Sequence, residues 1–272
     1  MEPDKIDPTP PSLPVEPAAP LAVAPAWHTI VLVAAILALS IHGASRSSVE
    51  HAPLNRLAAY GLTAALELAM LGWIVFGLRL RKTSIRSLLG SFSFSFRSIA
   101  ADLVCALLFW AGSMILLCMC ALAWSSVETV ITHQLPANAA GQPLSPDPSQ
   151  QRVLRGIAQL APSNGEEIAA WALFCLVVGF AEEIAFRGYL QRQFTAWARG
   201  NVLAGVLLSA SIFGCAHANQ GARGMFLLGV FGVFFSLLAL ERRALRPGIF
   251  AHCGHDFILG LALASLKSHS NI

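Results

Sequence analysis

The chain has 272 residues, 56% hydrophobic and 12% charged, with a formal net charge of +3. A soluble domain carries about 25% charged residues, so composition excludes an ordinary soluble fold and points to an integral membrane protein. The small net charge, with no basic stripe interleaved by aromatics, excludes nucleic acid as a partner and leaves the lipid bilayer.

Residues 1–26 hold eight prolines and four acids against the one Lys5. No core can form from them, so they read as a disordered, Pro-rich cytoplasmic tail. A signal peptide is excluded because the basic n-region is missing, and the first apolar run is expected to remain as an anchor. A membrane helix needs about 20 apolar residues. Apolar runs lie at about 27–44, 56–78, 98–124, 167–181, 201–217, 224–240 and 247–266. The expected fold is all-α, a polytopic membrane bundle of about seven transmembrane helices. Residues 27–125 form its amino-terminal helices and 126–165, broken by Pro136, Pro143, Pro146, Pro148 and Pro162, form a loop. Residues 166–268 form the core that carries the chemistry. Segment 184–198, with Arg187, Arg192 and Arg199 among aromatics, continues the fourth span toward an interface.

Basic residues gather in 79–97, 187–199 and 242–246. Placing these inside satisfies the positive-inside rule. It sets the amino terminus in the cytoplasm and, with seven spans, the carboxyl terminus outside. The six cysteines lie in apolar runs with no CxxC pair and read as small buried hydrophobes.

Two acids stand side by side in an apolar run, Phe174 to Arg187, as Glu182 and Glu183. Each costs roughly 2.5–3.5 kcal/mol on insertion scales, so a chain keeps such residues for a reason. Glu183 and Arg187 are spaced i,i+4 with the acid first, the favourable order for an ion pair. Glu182 points about 100° away and is left to bind water, a proton or a metal. His217 follows Phe213 by four residues. Glu182 lies 18 residues before the expected turn at Gly200 and His217 lies 17 after it. An antiparallel hairpin would bring them to one depth. The last span carries His252, His255 and Asp256. His252 and Asp256 share a helix face, suited to oxyanion stabilisation, to orienting another histidine, or to metal ligation.

These three motifs, Glu182-Glu183-x-x-x-Arg187, Phe213-x-x-x-His217 and His252-x-x-x-Asp256, resemble those of the CPBP family of membrane proteins (CAAX prenyl endopeptidases and bacteriocin-processing, or Abi, proteins). The resemblance covers about residues 167–266 and implies a glutamate-type intramembrane peptidase acting without a cofactor. It implies that Glu182 activates water with His217 as helper. His252 and Asp256 would stabilise the oxyanion, with Glu183, Arg187, Phe213 and His255 in support. Asp256 stands where family members carry Asn, and an ionised Asp cannot donate a hydrogen bond to an oxyanion.

Two other readings stay open. The acids and histidines could hold zinc in a metallopeptidase, although no HExxH occurs. A non-enzymatic immunity protein, chaperone or transporter could use the same polar cluster for binding. The Ala- and Arg-rich bias points to a bacterial inner membrane, where a bacteriocin leader or a protein sorting tail suits better than a prenylated substrate. The substrate class is a membrane-associated protein or peptide, and the oligomeric state is not legible. Glu67 in the second span could shape a cavity or carry protons, but a lone acid of this kind is more often satisfied by polar neighbours. Asp102 is expected at an interface. His28, His42, His51, His133 and His269 are expected at span ends or in loops, without catalytic roles.

Overall fold

The computed structural model describes residues 21–47, 55–91, 93–132 and 156–269. The first four helices are α1 (Ala26–Ser47), α2 (Arg56–Leu80), the short α3 (Ile85–Leu89) and the long α4 (Phe96–Thr132). Next, α5 (Gly165–Glu182) runs through a π-helical stretch (Glu183–Leu190) into α6 (Gln191–Trp197). The chain then turns into α7 (Val202–Cys215), a 3-10 turn (Ala218–Gln220), α8 (Gly221–Arg242) and α9 (Arg246–His269). Asparagine side chains cap three of these helices: Asn55 accepts from Ala58 N, Asn164 from Glu167 N and Asn201 from Ala204 N.

Among the described residues, six helices are long and apolar enough to cross a membrane, and α7 is a shorter apolar seventh. The expected helical bundle is therefore present. Its outer face is greasy: Leu107, Leu108, Ile115 and Leu122 of α4 are exposed, as side chains facing lipid would be.

The boundaries differ from expectation in two places. Helix α4 runs on through Thr132, into the segment expected to be loop. The hydroxyls of Ser125, Ser126 and Thr129 each donate to the carbonyl four residues back, so these polar residues are satisfied inside the helix. The end of the expected tail is also ordered. Val23 N and Ala24 N donate to Gln193 Oε1, and Gln193 Nε2 donates back to Ala24 O. The amide thereby holds the chain entering α1 against α6. Residues 1–20 and 133–155 of the expected tail and loop, with His51 and His133, lie outside the described residues.

One end of the bundle is tied together by its basic residues. Arg192 donates to the carbonyls of Ser87 and Leu88. Leu245 N donates to Leu89 O, next to the antiparallel bridge between Gly90 and Ala244. Asp102 is 6% exposed and pairs with Arg242 at 3.0 Å and with Arg246. It joins α4 to the turn between α8 and α9. His28 is likewise more than a span-end residue. It is fully buried, stacks on Trp73 at 4.7 Å and meets the Tyr189 hydroxyl at 2.9 Å, linking α1, α2 and the π-helical stretch. The cysteines are less uniform than expected: Cys175 and Cys253 are buried, but Cys118 faces outward on α4.

Three close approaches set the depth of the core. Gly214 of α7 backs onto Met225 O and Gly229 of α8. Gly188 faces Leu88 and Leu245, which puts the start of α9 level with the middle of the π-helical stretch. A Cβ on Gly179 would come within 2.7 Å of Cys253 Sγ, so only glycine lets α9 lie this close to α5.

Asp102→Ala leaves the buried Arg246 without its carboxylate. It should cost about 3–5 kcal/mol, read as a lower unfolding midpoint in detergent, while Asp102→Asn should cost less.

Candidate active site

All eight residues of Glu183–Leu190 are buried. The wide turn is closed by Gln191 N donating to Phe186 O, five residues back. Ser209 Oγ of α7 donates to the same carbonyl at 2.6 Å, which locks the π turn to its neighbour. Such turns are rare and recur at functional sites.

Glu182 and Glu183 leave the helix in different directions, and His252 of α9 reaches both. Its Nδ1 lies 2.9 Å from Glu183 Oε1 and its Nε2 lies 3.3 Å from Glu182 Oε2. The Nδ1 contact to Glu183 is a hydrogen bond, whereas Nε2 stands beside Glu182 as a charge contact only and keeps its hydrogen-bonding capacity. Glu183 is fully buried, and its Oε1 also lies 3.0 Å from Arg187 Nη1. The Arg187 guanidinium sits over the rings of Phe213 and Phe235, at 4.4 and 5.0 Å from their centroids. Aromatic faces thus replace water around a buried cation. A Cβ on Gly248 would come within 2.9 Å of Glu183 Oε2, so the glycine leaves room for the carboxyl.

His217 stands at the end of α7, with Nδ1 meeting Phe213 O at 2.9 Å. The Phe213 ring packs edge-on against Phe186 at 5.0 Å. Four residues further along each antiparallel helix lie His217 and Glu182. Both line one cavity of about 490 Å³ between α1, α2 and the core, with Glu67, Trp73 and Asn219 also on its wall. Straight, fully crossing spans would have separated His252 from His217. Instead α7, with 14 residues, is only about 21 Å long, shorter than the roughly 30 Å hydrocarbon core of a bilayer. His252 descends from Leu245 as Glu182 descends from Gly188.

Asp256 Oδ2 is 3.8 Å from His252 Nε2, within ion-pair range but beyond a hydrogen bond. His255 Nδ1 accepts from Trp110 Nε1 at 3.2 Å and lies against Phe231, so its direct contacts run to α4 and α8. Among the described residues, no group of three His, Cys, Asp or Glu side chains is arranged to hold a metal ion.

Sequence reasoning did not anticipate His252 bridging the two glutamates, or Phe235 covering Arg187. Phe235 lies in an apolar run of phenylalanines with no motif to single it out. The bridge has no local signal either, because residues 69 positions apart meet there.

Residues 164–258 match a protein-family model described as Rce1-like, type II CAAX prenyl endopeptidase Rce1-like. This agrees with the family resemblance carried by the three motifs. It supports a membrane-embedded protease. No curated protein and no solved structure matches the chain.

Glu183→Ala strands a buried guanidinium. It should cost about 3–5 kcal/mol in thermal unfolding, whereas Glu183→Leu combined with Arg187→Met should regain most of that loss.

Proposed function

We propose that the protein is a glutamate-type intramembrane endopeptidase that cleaves a membrane-associated protein or peptide. The observation that carries this reading is one cavity holding Glu182 and His217, with His252 hydrogen-bonded to Glu183 and its Nε2 3.3 Å from Glu182. A carboxyl, two imidazoles and room for water and a peptide are what water-mediated amide hydrolysis requires.

In the proposed reaction, Glu182 takes a proton from a water in the cavity and the hydroxide attacks the scissile carbonyl. The tetrahedral oxyanion is stabilised by N–H donation from His252, with His217 holding the water on the other side. Glu183 and Arg187 are positioning residues: they fix the ring of His252 and do not touch substrate. Asp256 stands 3.8 Å from His252 Nε2 and orients the ring instead of donating to the oxyanion. His255 supports from the Trp110 side. No cofactor takes part. The basic end of the bundle faces the cytoplasm, with the amino terminus, in a bacterial inner membrane. The substrate is then a leader peptide or a sorting tail rather than a prenylated protein.

Membranes carrying wild type or Glu182→Ala, compared by proteomics of peptide ends, test the reading. Fragments made by the wild type should vanish in the variant while the variant folds normally. An unchanged fragment pattern with a folded variant rejects hydrolysis and favours a binding role. With the mapped substrate, Glu182→Gln should lower kcat at least about 100-fold. Thorough chelation of divalent metals should leave wild-type activity intact, and loss that zinc restores would shift the reading to a metallopeptidase.

A further inference from the structure

Helix α2 carries a single acid, Glu67, in a span otherwise apolar at its middle. Its carboxyl is not turned to lipid. Glu67 lines the same cavity as Glu182 and His217, beside Thr63, Met70 and Trp73. It lies within electrostatic reach of Glu182 and His252. Its Oε2 is buried and has no hydrogen-bond partner among the described residues, so no polar neighbour satisfies that oxygen. A carboxyl without a partner is costly at membrane depth, and an acid kept there is a functional group by default.

Resting on the peptidase reading above, we propose that Glu67 is a second catalytic carboxyl, the acid that protonates the departing amine. Glu67 enters the cycle carrying its proton, the form in which an unpartnered acid persists in an apolar wall. Glu182 takes a proton from water as the new C–O bond forms and the carbonyl becomes an oxyanion. When the carbonyl reforms and the C–N bond breaks, the Glu67 proton goes to the leaving nitrogen. The products are a carboxylic acid and an amine. Glu182 then holds the proton of the water and Glu67 is ionised, and proton transfer between them through cavity water restores both. The two carboxyls come from helices far apart in the sequence and line the same cavity.

The leaving group separates this role from a structural one. Full-length protein in phosphatidylcholine vesicles is given the segment mapped by the Glu182→Ala comparison, made as a peptide and as an ester at the scissile bond. An ester leaving group needs little protonation. Glu67→Gln should slow peptide cleavage about 100-fold and ester cleavage less than about threefold. Equal loss on both substrates, or undiminished peptide cleavage, overturns the proposal. Undiminished cleavage by Glu182→Gln overturns the peptidase reading instead. Infrared spectra of the same vesicles need no substrate: wild type should show a protonated-carboxyl band that is lost in Glu67→Gln and shifted in Glu67→Asp. A band unchanged in both variants also overturns the proposal.

Discussion

A carboxylate with no exposed surface can persist inside a membrane bundle only where cations and donors satisfy it, and Glu183 meets two of them through one oxygen. Arg187 lies 3.0 Å from that oxygen on the same helix, and His252 lies 2.9 Å from it on another. Removing either would leave the buried carboxylate with one partner in place of two, a large cost for a charge kept out of water. Much of the surrounding architecture serves this contact. Gly179 and Gly248 admit α9 to the required depth, and Phe213 and Phe235 close over the guanidinium.

The same contact separates the roles of two adjacent acids. Glu183 is enclosed and spent on structure. Glu182, one residue earlier, opens onto the cavity and keeps an oxygen within 3.3 Å of His252. A regular helix would already point the two side chains in different directions. The π turn that begins at Glu183 adds a wider spacing, and Ser209 holds that turn in place through the Phe186 carbonyl.

Much of the bundle could be read from residue patterns. Apolar runs of sufficient length announced the spans, and the i,i+4 order of Glu183 and Arg187 announced their ion pair. The nearly equal distances of Glu182 and His217 from the turn near Gly200 put them together, and both line one cavity. Other features left no local trace. The serine and threonine hydroxyls that extend α4 to Thr132 look like loop residues until their carbonyl acceptors are seen. Asp102 gives no hint of Arg242 and Arg246, its partners from the other end of the chain. Gln193 gives no hint that it holds the backbone of Val23 and Ala24.

By itself the sequence determined the membrane environment, the helical class and the identity of the acids and imidazoles that stand out against an apolar background. Those conclusions follow from the cost of burying charge, which composition reveals directly. Only the tertiary structure decided that His252 would meet both glutamates, and that Glu67 would line the cavity that holds Glu182 and His217. These outcomes depend on how closely helices distant in the chain can approach. That approach is set by side-chain volume at a few glycines, a quantity no local pattern encodes.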